Sequence, residues 1–87
     1  MLPLLEQCWT AVQASLRSRA GDAVYEAWLG RLRPVLMERG TVHLEADNRL
    51  TADRVRALYR PLLVDVLSAE FGVAVQVEVE SRDDDRI

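Results

Sequence analysis

The stretch Arg33-Pro34-Val35-Leu36-Met37-Glu38-Arg39-Gly40-Thr41-Val42-His43-Leu44-Glu45-Ala46 holds two short apolar runs around a glycine. Val42, Leu44 and Ala46 alternate with Thr41, His43 and Glu45, which predicts a strand with one buried face. Arg33–Met37 reads as its partner at a sheet edge, because Pro34 has no N–H to donate to a ladder. Glu38-Arg39-Gly40 is the turn, with Gly40 free to take a positive φ. This is a β-hairpin.

On the N-terminal side the period is helical. Leu5, Cys8, Trp9, Val12 and Leu16 fall at three- and four-residue steps, predicting an amphipathic helix from Pro3 to about Arg19. Ala20-Gly21-Asp22 ends it, and Asp22 can cap a shorter helix running to about Leu29. In that helix Val24, Ala27 and Trp28 are expected to face inward, flanked by Tyr25. After the hairpin, Asp47 is placed to cap a long helical segment reaching about Glu70. Its stripe is Val55, Leu58, Tyr59, Leu62, Val66 and Leu67, and Pro61 predicts a kink or break near Tyr59–Arg60. Gly72 is the expected C-terminal cap. Val73, Val75, Val77 and Val79 then alternate as a third strand. The order is α-α-β-β-α-β, an α+β fold whose three-stranded sheet is covered by helices on one face. It is KH-like in arrangement but lacks a GxxG clamp. Residues 1–80 form one interaction domain, and the polar segment from Ser81 to Ile87 begins a linker or a frayed tail.

Composition fits one small domain. The 87 residues are 49% apolar and 29% charged, which excludes a disordered or low-complexity chain. No apolar run approaches the roughly 20 residues that span a bilayer, so no membrane role is expected. The N-terminus lacks the positive charge and cleavage site of a signal peptide. One cysteine, Cys8, cannot form an internal disulfide, which fits a reducing cytoplasm. All eleven basic residues are arginine, a bias read as codon composition in the source genome and not as a binding signature.

Nothing in the chain assembles catalytic chemistry. His43, the one histidine, lies on the outward side of a strand with no neighbour to orient it. Cys8 sits on an apolar stripe, the setting of a small buried thiol. No Cys/His spacing suits zinc, no glycine-rich loop suits phosphate, and Asp83-Asp84-Asp85 lacks the turn glycine and further ligands of a calcium loop. No enzyme, metal or cofactor is expected. Nucleic acid needs separate weighing. The window from Arg31 to Arg60 holds seven arginines against Glu38, Glu45, Asp47 and Asp53. Arg49, Arg56 and Arg60 would share a helical face able to hold phosphates weakly, although a solvated outer face explains them as well. Of the two tryptophans, Trp28 is expected in the core, and Trp9 could serve core or interface.

The order and spacing of these residues resemble a known family. Trp9 with Val12 and Leu16 comes first, then Tyr25-x-x-Trp28-Leu29 and Leu32-x-Pro34. Thr41-Val42-x-Leu44-x-Ala46-x-Asn48 and Asp53-x-Val55-x-x-x-Tyr59 follow. Together they resemble the N-terminal domain (domain I) of the bacterial chromosomal replication initiator DnaA, from about residue 5 to residue 80. The resemblance implies a protein-docking domain that mediates self-association of initiators at the origin, recruits the replicative helicase and binds regulators. The ATPase and double-strand DNA-binding functions belong elsewhere in such proteins. By the same resemblance Trp9 matches the self-association position, while Val24, Asn48 and Leu50 match positions that contact helicase or regulators. Asn48, with Arg49, Arg56 and Arg60, is the place for weak single-stranded DNA contact. The chain departs from the family pattern at Asp47, usually proline, at Leu50, usually aromatic, and at Arg54, commonly tryptophan. Val24 stands where helicase-contacting members carry a polar or acidic residue. Two other readings follow from the same residues: a weak single-stranded nucleic-acid binder, and a free-standing regulator that mimics the initiator domain.

Overall fold

The computed structural model describes residues 5–82. Helix α1 spans Leu5–Ala20 and buries Trp9, Val12 and Leu16, with Leu5 and Cys8 half-buried beside them. The expected start at Pro3 lies outside the described residues. Gly21, at φ 92°, is the residue that precedes α2 (Asp22–Ala27), so the helix begins one position earlier than a cap at Asp22 requires. Asp22 instead occupies the first turn, where its carboxylate suits the helix dipole and accepts a hydrogen bond from Arg17 Nη1 at 3.2 Å. Helix α2 stops at Ala27, and a single 3₁₀ turn, Leu29–Arg31, follows.

That early stop reverses the expected burial. Tyr25, at 7% exposed, and Leu29, at 1%, enter the core, whereas Trp28 is half-buried and Ala27 exposed. A helix continued to Leu29 would have kept Trp28 on the inner face. The change to 3₁₀ geometry turns it to the rim.

The hairpin forms, with Glu38 in the strand and not in the expected three-residue turn. Strands β1 (Arg33–Glu38) and β2 (Thr41–Ala46) pair antiparallel, with Glu38 opposite Thr41 across a two-residue turn. Arg39 and Gly40 both take positive φ, 53° and 77°, the geometry that matches the strands' own twist. A bulge between Pro34 and Leu36 interrupts the pairing and leaves Val35 more than half exposed. Strand β3 (Gln76–Ser81) runs parallel to β2 on its other side, giving sheet order β1-β2-β3. Val42 lies opposite Val77, Leu44 opposite Val79 and Ala46 opposite Ser81, so one face carries the buried side chains of both strands. Ser81 thus belongs to β3, one residue past the expected boundary, and the polar residues 83–87 lie outside the described ones. Val75 is buried just before the strand, but Val73 is exposed and lies outside the ladder, unlike the four-valine alternation expected.

The segment between β2 and β3 is broken as its proline requires. Helix α3 (Arg49–Arg54) runs into a π-turn, Val55–Tyr59, and α4 (Arg60–Phe71) starts afresh with Pro61 in its first turn. Pro61 cannot donate to the carbonyl four residues back, and its ring crowds that carbonyl, so the ladder widens and restarts. The wider turn shifts the apolar phase by one residue. Leu63 is fully buried in place of Leu62, and Leu58 points to solvent at 55% exposed, contrary to the expected stripe. Gly72 ends α4 in the left-handed region and donates its N–H to the Ser68 carbonyl at 2.8 Å.

The resulting core joins Val12 and Leu16 of α1, Val55 and Leu63 of the broken arm, and Val42, Leu44, Val77 and Val79 of the sheet. Fully burying each such side chain contributes about 1.5–3 kcal/mol before conformational entropy is charged against it. Helix α1 packs on α4, α2 and β1, and among the described residues the helices cover the sheet face that carries the buried side chains of β2 and β3. This is the α+β arrangement expected from the sequence.

Candidate docking site

The site grows out of the junction between β2 and α3. Ala46 is the last buried residue of β2, and Asn48, in extended backbone, is the true cap of α3. Its Oδ1 accepts from the Thr51 N–H at 2.8 Å, and its carbonyl accepts from Ala52 N–H at 3.1 Å. Asp47, expected as the cap, pairs with Arg31 at 3.0 Å instead. An extended residue must precede the first helical one, and Asn48 is the last such residue.

Capping there fixes which way the short helix faces. Thr51 and Ala52 turn into the core, so Leu50 and Arg54 turn out. Leu50 is 65% exposed, the most exposed of the large apolar side chains among the described residues. With Asp53, Arg54, Ala57 and Leu58 it lines a shallow groove of about 300 Å³. Two leucines more than half exposed on one groove are an unusual use of apolar surface in so small a chain, and such surface commonly marks a protein contact.

Trp28 belongs to the same neighbourhood. The Arg54 guanidinium carbon lies 4.8 Å from the centroid of its ring, linking α3 to the end of α2. Val24, half-buried on α2, accepts the Trp28 N–H on its carbonyl at 2.9 Å. Neither Arg54 nor Leu58 stood among the expected site residues. Their signal in the sequence is the four-residue step Leu50, Arg54, Leu58, of which Leu58 also fits the core stripe.

The other expected positions are dispersed. Trp9 is 8% exposed and part of the core cluster, so most of its ring is committed to the fold. Arg56 donates to the Val79 carbonyl, and through Nη2 to Asp53 Oδ1 at 2.7 Å. Arg60 pairs with Glu78 at 3.6 Å. Arg49 is exposed at the first residue of α3. The expected basic face is therefore crossed by the π-turn, and Arg56 and Arg60 are held by carboxylates. Cys8 and His43 are each half-buried. Among the described residues, no group of three or more His, Cys, Asp or Glu side chains is placed to hold a metal, and no helix is long and apolar enough to cross a membrane. Asp83-Asp84-Asp85 lies outside the described residues.

Comparison with known proteins places the chain in a family. A chromosomal replication initiator protein DnaA from Herminiimonas arsenicoxydans is 28% identical over 74 residues, covering 85% of this chain and 16% of the relative. The DnaA protein of Geobacter metallireducens is 26% identical over 76 residues, covering 87% of this chain and 17% of its own length. The chain thus spans about a sixth of the length of the curated relatives it matches. Among solved structures, a chain in the crystal structure of a HobA-DnaA (domain I-II) complex from Helicobacter pylori superposes with a TM-score of 0.74. That match has 19% identity over 83% of this chain and 94% of the other, so the fold is shared. Residues 6–69 match the profile of the DnaA N-terminal domain, and the chain belongs to that family.

Proposed function

We propose that this chain is the protein-docking domain of a replication initiator, which recruits the replicative helicase and regulators through the face built by Leu50, Leu58 and Trp28. The observation that carries the reading is the pair of leucines, 65% and 55% exposed, that line one groove beside the Asn48 cap. Asn48 sets the helix start, Leu50 supplies the apolar anchor, and Val24 lies one helical turn before Trp28, whose backbone N–H its carbonyl accepts. The family membership and the HobA-DnaA neighbour support a protein partner in general terms. The domain would act in the cytoplasm by binding alone, without catalysis.

Self-association belongs to the same proposal, with α1 as its element and Trp9 as its support. Because Trp9 is only 8% exposed, its part is to hold the outer face of α1 in shape, with Leu5 and Cys8 half-buried beside it. The test of the helicase contact is isothermal titration of the cognate helicase with Leu50→Asp and Leu58→Asp. A carboxylate on either leucine should weaken binding at least tenfold while melting stays near the parent's. Undiminished binding by both variants would show that the helicase uses another face.

Weak single-stranded DNA binding is the second reading, and the ion pairs of Arg56 and Arg60 argue against it. A free-standing regulator built on the initiator's domain is a third. The nucleic-acid reading predicts no loss of helicase binding on changing Leu50, whereas a mimic that caps the initiator's partners would share this face and is told apart by the absence of an attached ATPase domain.

A further inference from the structure

Arg54 sits at the middle of the apolar groove, one helical turn from Leu50 and one from Leu58. The contact the structure gives its guanidinium is the face of Trp28, 4.8 Å from the ring centroid. A ring face attracts the cation but does not supply the paired oxygens that the planar guanidinium fork matches. The nearby carboxylates are engaged elsewhere. Asp53 accepts from Arg56 at 2.7 Å, and Asp47 pairs with Arg31 at 3.0 Å. The ridge therefore reads apolar, cationic, apolar along one exposed line, and the stack on Trp28 holds the cation in place over it.

Resting on the docking reading above, we infer that Arg54 is the specificity determinant of this face: it selects a partner helix on which a carboxylate stands between two apolar side chains. Such a helix repeats this ridge with the charge inverted, so its apolar residues meet Leu50 and Leu58 while its Asp or Glu meets the Arg54 fork. Two parallel N–H···O contacts to a pre-positioned guanidinium give direction as well as attraction. A nucleic-acid occupant is disfavoured by the same surroundings. Asp53 lines the groove, Arg56 and Arg60 are tied to carboxylates, and the Trp28 ring beside it already carries the Arg54 guanidinium on its face, where a base would have to stack.

The experiment titrates the cognate replicative helicase hexamer with the parent chain, Arg54→Gln, Arg54→Glu and Leu50→Ala, at low and high salt. A 15-nucleotide oligothymidylate is the parallel probe, and thermal melting checks each fold. Arg54→Gln should weaken helicase binding about fivefold and remove most of its salt dependence, and Arg54→Glu should weaken it more than tenfold. If Leu50→Ala weakens binding and both Arg54 variants match the parent, the docking face stands and the inference about Arg54 is overturned. If the parent chain does not bind the helicase at all, the docking reading fails and the inference goes with it. If the Arg54 variants lose oligothymidylate and keep the helicase, the residue serves nucleic acid and the inference is likewise overturned.

Discussion

Tyr25 closes over Gly30 so tightly that a Cβ at Gly30 would stand 3.0 Å from both the ring Cε2 and the carbonyl oxygen of Tyr25. This approach is why Tyr25, and not Trp28, fills the core beneath the 3₁₀ turn. Gly30→Ala gains a few tenths of a kcal/mol by restricting the unfolded chain but must displace a buried ring and a backbone carbonyl. The expected net effect is a loss of about 1–2 kcal/mol in urea denaturation. A variant as stable as the parent would mean the ring has room to move.

The two tryptophans should separate cleanly. Trp9 is 8% exposed within the core cluster, while Trp28 is half-buried at the rim. Trp9→Ala should cost about 3–5 kcal/mol, enough to unfold much of a domain this small at ambient temperature. Trp28→Ala should cost clearly less and leave a cooperative transition. Denaturant melts of the two variants measure both, and equal losses would place both rings in the core.

A third expectation concerns the phase change at Pro61. Leu63→Ala should cost about 2–5 kcal/mol, because Leu63 is fully buried, whereas Leu58→Ala should change stability by less than about 0.5 kcal/mol. An unbroken helix demands the reverse order. Thermal melting of the pair decides between them.

At the head of α3, Asn48→Ala should lose about 1 kcal/mol through the lost bond to the Thr51 N–H. Asp47→Ala breaks only a partly exposed ion pair with Arg31, worth well under about 1 kcal/mol. Comparing the two midpoints in one buffer tells which residue is the cap.

Much of this architecture is legible in the sequence, and the reasons are local. Val42, Leu44 and Ala46 alternate against a turn glycine, and Gly72 closes a helix that cannot continue in the left-handed region, so neighbouring residues alone specify both features. What the sequence hides depends on groups that meet only in the fold. The burial of Tyr25 over Trp28 requires the close approach at Gly30, and the exposure of Leu58 requires the extra residue of the π-turn. The site shows the same split. Leu50 and Asn48 could be found by family spacing, whereas the pairing of Arg54 with Trp28 joins residues 26 apart and needs the helices docked.

The most direct measurement is an NMR map of the isotope-labelled chain titrated with its replicative helicase. The amide and methyl shifts should concentrate on Val24, Trp28, Asn48, Leu50, Arg54 and Leu58, leaving the open sheet face around His43 and Glu78 unmoved. Shifts gathered on the open face, or no shifts at millimolar protein, would contradict the docking account.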